Sequence, residues 1–236
     1  MKLSVVMPVY NEERLIAESV KRVLEVEFPC ETELVIVDDG SADSTVAIVS
    51  GLDDPRIRLI RHPRNRGKGA AVRTGVMEAR GEYLVILDAD HEYDPRDIPR
   101  LLAPVLDGRT EVVFGSRSFG GQTAYSFWYL MGNKFVTTFA NVLFNCYISD
   151  LETCYKLMPT ALYRQLTIKS NGFGMEAELT GKLLRRGIRP HEIPISYQAR
   201  SREEGKKITW VDGVEAIWIL VRERMRRRPR PAASPR

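Results

Sequence analysis

Short apolar segments that recur between helical stretches constrain this chain more than any other feature. Leu3–Met7, Glu33–Val37, Ile57–Ile60, Tyr83–Leu87 and Val112–Phe114 are brief runs rich in β-branched residues, the pattern of strands covered on both faces. Between them, Glu12 to Glu25, Ser44 to Val49, Lys68 to Ala79 and Asp97 to Leu106 carry helical patterns, each introduced by polar, Gly or Pro residues. Strands alternating with helices predict an α/β fold built on a mostly parallel sheet with helices on both faces. The chain has 236 residues, 44% of them hydrophobic, enough to bury a core as one domain of this type or two small ones.

In such a sheet, ligands collect beyond the carboxyl ends of the strands. Three polar clusters fall there: Pro8–Glu13 after the first strand, Asp38–Asp43 after the second, and Asp88-Ala-Asp-His-Glu92 after the fourth. Two carboxylates at i and i+2 just past a strand can reach one cation, and oxygen-only ligands suit Mg²⁺ or Mn²⁺. Asp88 and Asp90, with Glu92 as a further oxygen, supply such a set, and a metal held there could bridge the phosphates of a nucleotide diphosphate. A solvated acidic turn is the plainer alternative. Asp94, directly before Pro95, suits a turn or a helix start. Asp38 and Asp39 could accept hydrogen bonds from ribose hydroxyls or base N–H groups, while Asp43 or Ser44 is placed to cap a helix. Asn65-Arg-Gly-Lys-Gly69 lacks the spacing of a P-loop and stands instead as a Gly-rich helix start with one useful lysine, Lys68.

Past residue 120 the pattern changes. Tyr125 to Asn145 is apolar with a single charge, Lys134, near its middle. A central Lys costs a membrane span about 2.5–3.5 kcal/mol, so the expectation is a helix lying in the membrane interface or roofing the site. A helix over Gly174–Arg186, a strand near Ile188–Ile195 and a last helix from Val211 follow. The net charge is +4, and residues 222–236 hold seven Arg against one Glu. The body is therefore near neutral, and the basic end suits either anionic lipid headgroups or plain solvent. Nucleic-acid binding is disfavoured, since no aromatic or RNA-fold signature accompanies the arginines. Three cysteines, Cys30, Cys146 and Cys154, lack a metal-type spacing and fit a reducing compartment. The N-terminus MKLSVVMPVY is expected to be a first strand rather than a signal peptide, and the stretch after Arg230, Pro-Ala-Ala-Ser-Pro-Arg, is not expected to form a membrane helix. The expectation is a cytoplasmic protein whose membrane contact, if any, is peripheral, on the inner face of the cell membrane; its oligomeric state is open.

MPVYNEE, VDDGSADST, NRGKGAAVRTG and LDAD, in this order and spacing, resemble the glycosyltransferase family 2 pattern on the GT-A fold. The match is strong over residues 1–117. A weaker continuation, Gly115-Ser-Arg117, Ser149-Asp150 with Lys156, and Arg202-Glu-Glu-Gly-Lys-Lys207, is similar to the polyprenyl-phosphate (dolichol-phosphate) mannosyl- and glucosyltransferase branch. The resemblance implies a GT-A domain over 1–221, with a nucleotide-sugar half at 1–117 and an acceptor half at 118–221, followed by a basic tail at 222–236. It implies that Pro8, Tyr10, Glu12, Asp38 and Asp39 line the nucleoside pocket, with Lys68 on the donor side. Asp88 and Asp90, as the DXD motif, would bind Mg²⁺ or Mn²⁺ with Glu92, which stands where that branch shows Gln. Arg117 would face phosphate groups; the family's second Arg has no match unless Lys134 substitutes. Arg202 with Lys206 or Lys207 would hold the acceptor phosphate.

The implied reaction is inverting hexose transfer from a donor of the GDP-mannose or UDP-glucose type to a polyprenyl phosphate. An acceptor phosphate is already anionic and needs no general base, whereas a hydroxyl acceptor needs a carboxylate, for which Glu176 or Asp150 is the candidate. Glu176 and Glu178 could equally be exposed helix charges. His62 and His191 suit ordinary strand-edge positions, and His91 is expected to point away from the acids. Two rival readings remain: a sugar-1-phosphate nucleotidyltransferase, which lacks its Gly-rich loop here, and a catalytically dead binding module, which would have lost Asp88 and Asp90.

Overall fold

The structure, a computed structural model, describes residues 1–118, 122–123, 127–199 and 210–226. The first half forms the expected alternation: β1 (Lys2–Val9), α1 (Ile16–Leu24), β2 (Glu31–Asp38), α2 (Thr45–Ser50), β3 (Ile57–Arg61), α3 (Lys68–Glu78), β4 (Tyr83–Ile86), α4 (Ile98–Leu106) and β5 (Val113–Ser116). β6 (Gln122–Thr123), α5 (Phe127–Phe144), β7 (Lys156–Pro159), α6 (Thr160–Leu166), α7 (Met175–Arg185), β8 (His191–Pro194), β9 (Tyr197–Gln198) and α8 (Trp210–Met225) follow. The main sheet has seven strands in the order β3-β2-β1-β4-β7-β5-β8, and β6 pairs with β9.

Side-chain alternation along the strands divides the core. Leu3, Val5 and Met7 of β1 and Leu34 and Ile36 of β2 face Ile16, Val20 and Leu101 from α1 and α4. The opposite face carries Leu84 and Ile86 against Val72, Val76 and Leu179 from α3 and α7. α3 approaches the sheet closely because Gly75 has no side chain: a Cβ there would strike the Val6 and Val37 methyls. Both are β-branched and cannot swing aside cheaply. A third cluster, built on Val136, Ala140, Ala177, Ala216 and Leu220, joins α5, α7 and α8.

Two departures from the sequence expectation have local causes. α1 starts at Ile16 rather than Glu12, because the Glu12 carbonyl first accepts from the N–H groups of Leu15 (3.0 Å) and Ile16 (2.9 Å) in an entry turn. β7 was not expected at all, since Lys156-Leu-Met-Pro159 is short and opens on a charge. It runs antiparallel to both β4 and β5 and fills the space between them, and its Lys156 is fully buried.

Register brings the expected polar clusters to one rim. Val9 pairs with Asp38, and Asp38 with Arg61, so β1, β2 and β3 end level. Val6 pairs with Ile86, so Leu87 and Asp88 leave the sheet beside Met7 and Pro8.

Candidate active site

The loops after β1 and β2 are stitched together by their own polar groups. Asn11, at a positive φ of 54°, accepts from the Ala42 N–H (2.9 Å) and donates its own N–H to Ser41 Oγ (2.9 Å). Glu12 N–H donates to Thr45 Oγ1 (2.9 Å). Asp43 accepts from Thr45 Oγ1 (2.6 Å) and the Thr45 N–H (3.0 Å) at the start of α2, while Ser44, at the N-cap position, makes no side-chain capping bond. Pro8 and Glu12 are half-buried and Tyr10 is exposed on this rim.

Asp38 and Asp39 are both buried. Asp38 accepts from the N–H groups of Gly40 and Ser41, closing its own turn. Asp39 accepts from the Arg66 N–H (3.0 Å) and the Gly67 N–H (2.7 Å), and so fixes the loop that opens α3. Gly67 sits at φ 93°, where a Cβ would also run into the Asn171 carbonyl. His62, expected to be an ordinary strand-edge residue, is buried and bridges Asp39 Oδ1 (2.7 Å) to Thr74 Oγ1 (2.9 Å). A carboxylate only accepts, so His62 presents Nδ1–H to it and orients Asp39.

Beyond α3 and β4 a buried charge chain crosses the site. Lys68 Nζ donates to Asp88 Oδ2 (2.6 Å) and lies 3.7 Å from Glu176 Oε1. Burial works against the Lys68 charge, yet Asp88 and Glu176 hold its ammonium well above its usual range. Glu176 Oε2 accepts from Lys156 Nζ (2.6 Å), which also donates to the Leu151 carbonyl (3.0 Å). The Cys154 thiol donates to Asp88 (2.7 Å), and burial followed by the Asp88 charge pushes its pKa well up, keeping it protonated.

A second cluster lies on the α5 side. Arg117 forms a two-pronged pair with Asp150, Nε to Oδ2 at 2.6 Å and Nη2 to Oδ1 at 2.8 Å. Asn133 adds a third donor at 3.2 Å. Burial would raise the Asp150 pKa, but Arg117 and Asn133 lower it. A fully buried carboxylate held this way is a poor proton acceptor, which speaks for Asp150 as the anchor of Arg117 rather than a base. The Arg117 guanidinium stacks 4.9 Å from the Tyr197 ring centre, and Tyr197 donates its hydroxyl to Glu92 Oε2 (2.8 Å).

Between the two clusters is a residue that pattern reading missed. Glu152 is half-buried, and its pKa is raised from an ordinary 4.5 to about 7. Burial dominates; Lys156 and Arg117 oppose it, while Glu176 and Asp150 add to it. The only sequence signal for Glu152 is an acid two residues after Asp150, which periodicity cannot distinguish from a loop charge.

Several expectations change. Glu176 and Glu178 are buried, not exposed helix charges. Glu178 accepts from Lys182 Nζ (2.6 Å) and from the N–H groups of Lys169 and Ser170; burial alone would raise its pKa, and these donors hold it at about 2. Asp88, Asp90 and Glu92 do not form a three-carboxylate cage: among the described residues no group of three or more His, Cys, Asp or Glu side chains is arranged to hold a metal. The reason is local, since Asp88 faces Lys68 and Cys154 while Glu92 turns to Tyr197. His91, at φ 61°, sits beside Asp88, Ser19 and Tyr93 in a small cleft. Asp94 accepts from the Arg96 N–H and starts the turn that leads into α4. Arg202, Lys206 and Lys207 lie outside the described residues.

Residues 4–167 match the model of glycosyl transferase family 2. The chain is 34% identical over 122 residues to a dodecaprenyl-phosphate galacturonate synthase of Rhizobium johnstonii, covering 50% of this chain and 36% of that protein. It is 36% identical over 112 residues to an undecaprenyl-phosphate 4-deoxy-4-formamido-L-arabinose transferase of Proteus mirabilis, covering 45% and 34%. The chain thus spans about a third of the length of these relatives. Among solved structures, a glucosyl-3-phosphoglycerate synthase of Mycobacterium tuberculosis, in complex with Mn²⁺, UDP and glucosyl-3-phosphoglycerate, superposes with a TM-score of 0.70 at 19% identity, covering 94% of this chain and 79% of that one. The architecture is the expected α/β one, the GT-A fold.

Proposed function

Because the chain belongs to glycosyl transferase family 2, we propose that it is a glycosyltransferase rather than a nucleotidyltransferase or an inert binding module, and that it transfers a hexose with inversion from a nucleotide-diphosphate sugar to a polyprenyl phosphate. Donors of the GDP-mannose or UDP-glucose type suit the reading. The observation that carries it is the Asp88–Asp90 turn leaving β4 beside Lys68 on the rim shared with Pro8, Tyr10, Glu12, Asp38 and Asp39. The names of the relatives, two of them polyprenyl-phosphate enzymes, support the acceptor. In this reading residues 1–117 hold the donor and residues 118–221 the acceptor, as parts of one domain.

The residues fit a divalent metal in one specific way. Mg²⁺ is commonly held by one or two carboxylates together with substrate phosphates rather than by an all-protein cage, so Asp90 and Asp88 suffice without Glu92. A metal of this kind, Mg²⁺ or Mn²⁺, supplies charge neutralisation on the departing diphosphate. Lys68 orients Asp88 and adds positive potential on the donor side. Asp150 holds Arg117 rigid, so its guanidinium meets phosphate oxygens without reorganising. The acceptor phosphate oxygen attacks the anomeric carbon, the bond from that carbon to the diphosphate breaks, and the nucleoside diphosphate departs with the electron pair. Positioning and charge stabilisation suffice, since the nucleophile is already anionic. Arg202 with Lys206 or Lys207 fits the acceptor phosphate by chemistry.

Glu152 favours a second reading, transfer to a hydroxyl, because its pKa of about 7 suits a general base, whereas Asp150 is held by Arg117 and Asn133. A thermal-shift panel of UDP-, GDP- and dTDP-sugars with Mn²⁺ or Mg²⁺ identifies the donor, and no stabilisation by any of them refutes the reading. Arg202→Ala should then damage transfer more than donor hydrolysis; equal loss of both counts against its acceptor role.

A further inference from the structure

α5 and α8 leave large apolar side chains in water on the faces they turn away from the core. On α5, Phe127 is 65% exposed, Trp128 80% and Phe135 62%, with Met131 and Val142 also exposed. At about 100° per residue these five fall within an arc of about 100°. Val136, Ala140 and Phe144, which are buried, lie on the other side of the same helix. α8 repeats the arrangement: Val211, Val214, Trp218 (61% exposed) and Met225 line one outward face, while Ala216, Ile219 and Leu220 pack inward. The two helices run together, and Arg224 Nε donates to the Leu143 carbonyl (3.0 Å) to tie their ends.

The charges on this surface indicate what covers it. α5 contains no acid, and its one charge, Lys134, is exposed. Arg222 stacks on Trp218 with its guanidinium carbon 4.9 Å from the ring centre, at the start of a segment in which residues 222–236 carry seven Arg against one Glu. The acids of α8 do not cancel this excess: Glu223 is fully buried under Arg226 and Arg185, leaving Asp212 and Glu215 at the far end. Aromatic rings flanked by arginines are the composition of a surface that lies in the headgroup layer, with rings at the acyl boundary and guanidinium groups among phosphates. No helix among the described residues is long and apolar enough to cross a membrane, so a bilayer would meet this face with both helices lying along it.

We propose that the outward faces of α5 and α8 form a docking surface for an anionic lipid bilayer, with Trp128, Phe135 and Trp218 as its anchors. This deepens the lipid-acceptor reading and rests on it for its purpose. The inward side of α5 contributes Asn133 to the Arg117–Asp150 cluster, so docking through the outer side sets the candidate site beside the leaflet that would hold a lipid phosphate.

The test uses the full chain with vesicles of phosphatidylcholine alone or mixed with phosphatidylglycerol. The expected result is flotation with the mixed vesicles, weak binding to phosphatidylcholine, a blue shift of tryptophan emission, and release by salt. Trp128→Ser/Phe135→Ser should bind at least about tenfold more weakly while keeping its thermal shift with a nucleoside diphosphate, which shows that it is folded. A wild-type chain that ignores both vesicles overturns the proposal. So does a wild-type dimer that the double variant dissolves, because the face would then belong to a second copy. Transfer to a short, water-soluble isoprenyl phosphate reads the catalytic proposal separately: docking without any such transfer sinks only the function.

Discussion

Glu152→Gln should stabilise the protein at neutral and alkaline pH and do nothing in acid. The carboxyl ionises near 4.5 in the unfolded chain and at about 7 in the folded one. Below 4.5 both states hold the proton and no stability is at stake. Between 4.5 and 7 the folded chain still holds a proton that the unfolded chain has released, so stability falls as pH rises, and above 7 the loss is complete. At about 1.4 kcal/mol per pH unit, that interval of 2.5 units caps the cost at about 3.5 kcal/mol. Water at the half-buried carboxyl should bring it to about 1–3 kcal/mol. Gln keeps the shape and carries no charge, so urea unfolding of the two proteins from pH 4 to pH 9 isolates the effect. The difference should open between pH 4.5 and 7 and stay flat above. A pH-independent difference, or a variant less stable than wild type at pH 8, refutes the account of Glu152 as a carboxyl held in a net unfavourable site.

Three further substitutions probe other parts of the structure. Asp90→Asn should abolish the Mn²⁺-dependent stabilisation by a nucleoside diphosphate, a contribution of about 2.7 kcal/mol at a hundredfold excess over Kd; retention of the shift removes Asp90 from the metal. Glu176→Gln leaves Lys156 buried without its counter-charge and should cost about 3–5 kcal/mol in denaturant unfolding, whereas Glu176→Met/Lys156→Leu should recover most of it; an equal loss in both rules out the charge as the cause. Gly75→Ala presses a methyl into Val6 and Val37 and should cost about 1–3 kcal/mol with the donor-induced thermal shift retained; a neutral effect means α3 has room to move.

The first half of the fold was legible because each strand announces itself through a run of apolar residues and each helix through a polar or Gly start. Beyond Ser116 that logic weakens. β7 is a strand only because β4 and β5 leave a slot between them, a tertiary fact that Lys156-Leu-Met-Pro159 does not carry by itself. The candidate site shows the same division. Asp88 and Asp90 could be picked out by position alone, since a rim at the strand ends follows from the topology. Their partners could not: Lys68, Cys154 and Glu176 come from three separate stretches of chain, and only packing brings them to Asp88. Glu176 and Glu178 stayed open between site and surface for a related reason, since charges on a helix usually face water, and it is Lys156 and Lys68 around Glu176 and Lys182 beside Glu178 that make their burial tolerable. His62 was overlooked because the acid it orients is distant in sequence.

The central claim is hexose transfer to a lipid phosphate. Its most direct measurement incubates the purified protein and Mn²⁺ or Mg²⁺ with the stabilising nucleotide sugar and either a polyprenyl phosphate or the matching polyprenol, and reads the products by mass spectrometry. The account predicts a polyprenyl-phosphate hexose from the first acceptor, nothing from the second, and loss of the product on chelation of the metal. Transfer to the polyprenol or another hydroxyl acceptor with none to the phosphate would contradict it.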